Sequence, residues 1–313
     1  MTKIRQTVCL TLALSCIEFA YVNRIEASDS LHKNPKGFTK KGQKQNGVNI
    51  LGRNSEPFAG YDERWIQSHL LLNNAPTIEL QEADKLLLAG RFKEAELSYK
   101  QQLSSDTKGN SYVGAIYSIL EQPGEGKLDE ALIILREAKS KFADELSVRA
   151  ATGYLAYLIA QRTKSLDLRK KYLDASQSQC LYSVYNRPNF VHPNLTYALT
   201  CASEEGPEAI KKSKQAYRGA FHVAFLVSRE PFKTIAWDDN LWGISSKQKP
   251  EVYRLFKKRL LEVLEKGEKA LERRDTQAAE KYYKEILEVL DCSRFYYPHL
   301  QYQEVENSKS KEH

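Results

Sequence analysis

One nine-residue pattern occurs twice in this chain, as Ala95, Glu96, Tyr99, Lys100 and Leu103, and again as Ala279, Glu280, Tyr283, Lys284 and Leu287. Its Ala, Tyr and Leu recur every fourth residue, which places them on one face of a helix and leaves Glu and Lys on the solvated side. A chain that repeats itself is assembled by stacking small units, none of which buries its own apolar face alone. The recurrence therefore predicts a quasi-linear, all-α body whose function lies on a surface.

The flanking sequence extends each copy into a helical hairpin. Leu80, Ala83, Leu86 and Leu87 fall three and four residues apart, Gly90 breaks the run, and Phe92, Ala95, Tyr99 and Leu103 resume it. The small Ala83 and Ala95 allow two backbones to approach, with Phe92 and Tyr99 filling the space between them. Near the end, Gly267, Ala270, Thr276, Ala279, Tyr283, Ile286 and Leu287 repeat the scheme, with Arg274 at the turn position that Gly90 holds in the first copy.

Ala83, Leu86, Gly90, Phe92, Ala95 and Tyr99 resemble the tetratricopeptide repeat, a helical hairpin of roughly 34 residues. That resemblance implies a right-handed α-solenoid of antiparallel hairpins. The best-matching hairpins are residues 77–105 and 260–290, and the repeat domain is read as residues 61–299.

Between them the match is looser. Val113, Gly114 and Tyr117 fit a first helix, and Leu128, Ala131, Leu135 and Ala138 a second, across a turn lengthened by residues 122–126. Gly153 and Ala156 open a further unit closed by Tyr172, Ala175 and Leu181, and Leu195, Ala198 and Cys201 pair with Ala209 and Ala216. A separate helix is expected from Gly219 to Val227, then an insertion over residues 231–249, then a long helix from Pro250, which suits a first helical turn. Phe295, Tyr296, Tyr297 and Pro298 read as a cap on the exposed apolar end of the solenoid, followed by a polar tail, residues 300–313.

Residues 1–27 have the character of a secretory leader: Lys3 and Arg5, then a mostly apolar run from Val8 to Ile17, then the small Ala27. The run is shorter than the roughly 20 residues a membrane span needs. The expectation is a secreted or periplasmic protein, membrane-bound only if the leader is retained or Cys16 is lipidated. Residues 28–60 carry six basic side chains against Asp29 and Glu56 and no helical period, so a flexible arm is expected. The formal charge of +7 is thus largely local. A dedicated nucleic-acid surface is not expected. Cys180, Cys201 and Cys292 remain beyond the leader, too sparse and odd a set for a disulfide framework.

A search for catalytic constellations finds no phosphate-binding glycine loop, HExxH, paired CxxC or nucleophile elbow, and the six histidines show no ligand spacing. No cofactor, no metal and no enzymatic activity are expected. Two features suggest recognition instead. The 18 tyrosines exceed what hairpin packing needs, and tyrosine offers large contact area at little entropic cost, so Tyr154, Tyr157 and Tyr197 are candidate partner contacts. Trp237 and Trp242 flank Asp238, Asp239 and Asn240 and provide the alternative, a carbohydrate- or cation-binding insertion. In the tetratricopeptide family the first helix of each hairpin lines the concave surface, and the resemblance carries this onto Leu80, Asp84 and Leu87. The reading is a scaffold that binds a protein or extended peptide. A membrane-associated assembly factor is the further alternative.

Overall fold

The computed structural model describes residues 80–187, 190–228 and 250–301, all within one contact unit, Val48–His313. The leader, the basic arm, the Trp237–Trp242 insertion and the tail beyond Gln301 lie outside the described residues. Among the described residues every regular element is helical. In chain order they are α1 (Glu82–Leu88), α2 (Phe92–Gln102), α3 (Asn110–Leu120), α4 (Lys127–Phe142), α5 (Leu146–Arg162), α6 (Leu166–Asn186), α7 (Val191–Ala202), α8 (Pro207–Val227), α9 (Pro250–Glu272) and α10 (Thr276–Val289). A 3₁₀ helix, Ser293–Tyr296, follows α10.

Each helix packs on the next, and the first helices of successive hairpins also touch, α1 on α3, α3 on α5, α5 on α7 and α7 on α9. This neighbour-to-neighbour packing is consistent with an α-solenoid. Pro207–Val227 is one continuous helix, which corrects the expected break at Gly219: that residue is buried, and α8 runs past it.

The two matching hairpins turn by the same backbone device. Arg91 N–H reaches Leu86 O at 2.9 Å and Gly90 N–H reaches Leu87 O at 3.1 Å, while Asp275 N–H reaches Ala270 O at 2.9 Å and Arg274 N–H reaches Leu271 O at 2.9 Å. Both are Schellman closures, which need a left-handed residue just past the helix. Gly90 takes it at φ 73° and Arg274 at φ 58°. Arg274 also donates to Ala202 O and Gly206 O, both at 3.3 Å, so its side chain ties this turn to the α7–α8 connection. The Asp275 carboxylate then accepts from Ala278 N–H at 3.0 Å and starts α10.

Ala83, Ala95, Tyr99, Gly267, Ala270, Ala279 and Tyr283 are buried between helices, Phe92 is half-buried, and Gly90 is exposed at its turn. The phenols at these packing positions are bonded, as a hydroxyl left unpaired in the core would cost about 1–3 kcal/mol. Tyr99 donates to Asp84 Oδ1 at 2.6 Å, Tyr283 to Ala220 O at 2.6 Å and Tyr217 to Ala279 O at 2.9 Å. Adjacent hairpins meet where a helical glycine faces one of these rings. A Cβ on Gly114 would lie 2.4 Å from Tyr99, and one on Gly267 would lie 2.1 Å from the Tyr217 hydroxyl.

The repeated Glu does not face solvent as the sequence suggests, while the repeated Lys is half-exposed. Glu96 is 1% exposed and accepts from Lys100 Nζ at 2.6 Å, Gln122 Nε2 at 2.7 Å and Lys93 Nζ at 3.3 Å. Helical phase separates the pair from the Ala–Tyr–Leu face, but the next hairpin packs over that side as well. The second copy's Glu280 and Lys284 are half-buried and bond to Tyr154 of α5 and to Glu121 at the end of α3.

Candidate functional site

The first helices of four successive hairpins each direct one side chain towards the C-terminal segment: Asp84 from α1, Tyr117 from α3, Tyr154 from α5 and His192 from α7. These positions lie roughly one repeat apart along the chain. Tyr117 and Tyr154 stack with centroids 5.7 Å apart. His192 meets both edge-on, at 5.1 Å and 4.9 Å, with Tyr117 Oη 3.0 Å from its Nε2.

Tyr296 of the 3₁₀ helix enters this group edge-on to His192 at 5.2 Å. Its hydroxyl and that of Tyr154 both donate to Glu280 Oε1, the latter at 2.7 Å. One turn along α10, Lys284 lies 4.4 Å over the Tyr296 ring and donates to Glu121 Oε1 at 2.7 Å. Helix α10 thus supplies an acid and a base across the aromatic cluster. The cation over the ring face gains from its quadrupole.

A second network continues along the segment. Tyr99 donates to Asp84, so His299 Nε2, 3.0 Å from the same phenol oxygen, is the donor there, and its ring stands edge-on to Tyr99 at 5.5 Å. That tautomer leaves Nδ1 as an acceptor, and it is buried without a partner. Gln301 Oε1 accepts from Val191 N–H at 2.9 Å, satisfying one of the free amides that begin α7.

Burial sets the protonation of the cluster. It pushes the Tyr117, Tyr154 and Tyr296 phenols well above their ordinary value, so they remain neutral donors. It pushes His192 down to about 3, with the Lys284 charge acting in the same direction, and His299 down to about 3. Burial also raises Asp84, against the lowering effect of its hydrogen bonds. The arrangement therefore presents neutral aromatic edges and hydroxyl donors beside the side chains of Glu280, Glu121 and Lys284. That is chemistry for recognising a polar, aromatic segment.

Beside the cluster a cleft of about 330 Å³ opens between α3, α5 and α10. Tyr117, Leu120 and Glu121 form one wall, Tyr154 the base, and Glu280 and Lys284 the other wall. Of the residues singled out from sequence, Tyr154 lies here. Asp84 and Leu87, expected on the first-helix face, and Tyr157 and Tyr197, expected from the tyrosine surplus, are buried, and Leu80 is half-buried. Trp237 and Trp242 lie outside the described residues. Among the described residues the exposed tyrosines are instead Tyr182 and Tyr185 of α6, 41% and 44% exposed.

Sequence reading missed His192, Glu280, Lys284 and Glu121. Glu280 and Lys284 were visible in the repeated pattern but were assigned to solvent. The aromatic run Phe295–Tyr297 was noted as an end cap, whereas it packs against α7 and α10 and reaches side chains of α3 and α5. Among the described residues no group of three or more His, Cys, Asp or Glu is placed to hold a metal ion, and no helix is long and apolar enough to cross a membrane. Comparison with family models, curated proteins and solved structures returns no match.

Proposed function

We propose that this protein is a non-enzymatic interaction scaffold, a right-handed solenoid of tetratricopeptide type that holds an extended peptide or protein segment along its row of first helices. The observation that carries this reading is that all four hairpins give side chains to a single segment of chain, Tyr99 of the first hairpin to His299, and Tyr117, Tyr154 and His192 of the next three first helices to Tyr296. A ligand-binding groove in a helical repeat works in that way, one contact per unit along an extended partner. Rigid hairpins hold the aromatic groups in place beforehand, so little ordering entropy is lost on binding. The leader-like residues 1–27 favour work outside the cytoplasm.

The test is a displayed random-peptide library screened against the full chain and against Leu120→Arg, which places a charge in the cleft wall. The reading expects enriched peptides whose binding falls at least tenfold in Leu120→Arg at unchanged helicity. A chain that selects no peptide, or a folded Leu120→Arg that keeps every one, refutes it.

A further inference from the structure

The segment that follows α10 is built as a ligand of the first-helix row more than as a continuation of the solenoid. It leaves α10 through a third Schellman closure, Cys292 N–H to Leu287 O at 2.8 Å and Asp291 N–H to Glu288 O at 3.1 Å, with the exposed Asp291 at φ 52°. Tyr297 alone is extended, at φ −100° and ψ 111°, between the 3₁₀ helix and a helical turn over residues 298–301. The chain then makes its contacts with discrete side chains: Tyr296 among Tyr117, Tyr154 and His192, His299 on Tyr99, and Gln301 on the start of α7.

Three features separate this contact from an ordinary core. It joins hydrogen bonds and aromatic edges to the burial of Phe295 and Leu300, the mixed chemistry of an interface. It is imperfectly satisfied, since His299 Nδ1 is buried with no partner. It also borders the open cleft, whose lining residues Tyr117, Tyr154, Glu280 and Lys284 all touch Tyr296.

We propose that the segment Ser293–Gln301 is a displaceable internal ligand of the first-helix row, and that the partner recognised there is a segment presenting a tyrosine and, three residues on, a histidine. The proposal rests on the scaffold reading above and specifies both its ligand and its control. The tethered copy competes at an effective concentration of roughly millimolar, so with a micromolar affinity of its own it makes any partner bind about 10³-fold more weakly until the tether is released.

The experiment uses the full chain with a site-specific protease sequence inserted after Asp291. The probe is a fluorescent peptide matching residues 292–313, together with the same peptide carrying Tyr296→Ala and His299→Ala. After cleavage the expected result is retained helicity, exchange of the labelled peptide with an affinity about 10³-fold above that of the uncut chain, and no binding of the doubly substituted peptide. Loss of helicity on cleavage, or a folded nicked chain that never exchanges the segment, overturns the proposal and makes the segment a fixed part of the core. If two copies trade the segment and dimerise, the partner is a second copy, and recognition of a foreign segment is overturned. Exchange of the labelled peptide with no library peptide bound sinks the scaffold reading alone. Library binding at the cleft with no exchange sinks this proposal alone.

Discussion

Acid should weaken this fold well above the pH at which its carboxylates protonate, because two histidines are sealed in the core as neutral rings. His192 and His299 are each pushed by burial from an ordinary value of 6.5 to about 3. With the folded value below the unfolded one, the unfolded chain takes up the proton first. The contribution of each ring is therefore fully present above 6.5 and is lost as pH falls through 6.5 towards about 3. The slope approaches about 1.4 kcal/mol per pH unit for each ring. At pH 5 each costs about 2 kcal/mol and the pair about 4 kcal/mol, a large part of the roughly 5–15 kcal/mol that holds a domain folded. His222, lowered to about 4 by burial and the nearby Arg218 charge, acts in the same direction.

Asp84 acts in the opposite direction. Burial raises its value, so the folded state is relieved as that carboxyl protonates, and His299 lies 3.9 Å from it. His192 is the cleaner reporter, faced by the neutral Tyr117, Tyr154 and Tyr296, by Thr196 of its own helix, and by the charge of Lys284. Urea unfolding of the full chain followed by circular dichroism, at half-unit steps from pH 7.5 to 5, gives the dependence. The His192→Gln variant should lose about 1.4 kcal/mol per unit from the slope below pH 6.5. A stability flat between pH 7 and 5, or a folded His192→Gln with the full slope, would refute the argument.

Gly114→Ala should lower stability by about 1–3 kcal/mol or more, since its Cβ would lie 2.4 Å from a Tyr99 ring held by Asp84 and His299; thermal melting tests this, and an unchanged Tm would show that the hairpins slide freely. Arg274→Gly relieves a left-handed non-glycine worth about 1–2 kcal/mol but loses two hydrogen bonds of similar total, so it should be close to neutral, whereas Arg274→Ala keeps the strain, loses the bonds and should be about 1–2 kcal/mol less stable than Arg274→Gly. Urea midpoints for the two variants separate them. Despite the cost of its burial, Glu96 is lowered to about 2 by its hydrogen bonds to Lys100, Gln122 and Lys93 and by the Lys100 charge. Its contribution is thus present above 4.5 and lost as pH falls towards 2. Glu96→Gln should cost about 2 kcal/mol at pH 7, and the difference from the parent should shrink steadily below pH 4.5 in the same unfolding series.

The helices were legible in the sequence because their signals are local. Apolar spacing of three and four residues marks α1, α2, α9 and α10, and Gly90 and Arg274 mark equivalent turns before any coordinate is known. The conformation that makes them equivalent, φ 73° and φ 58°, is itself a local backbone property. Gly219 misled because a glycine within a helix weakens it by only about 1 kcal/mol against alanine, which the packing of α8 on α7 and α9 overrides.

The site was not legible in that way. Glu280 and Lys284 sit at the helical phase that reads as solvent, and nothing within α10 reveals that α3 and α5 close over them. Phe295–Tyr297 reads as apolar surface needing cover, without stating what covers it. By itself the sequence determined that this protein is a row of helical hairpins and which residues pack within each, since periodicity, small residues and turns act over one or two helical turns. Only the tertiary structure decided that the last helix and the segment after it return to the first-helix row. That choice depends on contacts between residues as far apart as Tyr99 and His299, whose energy exists only once the whole row is stacked.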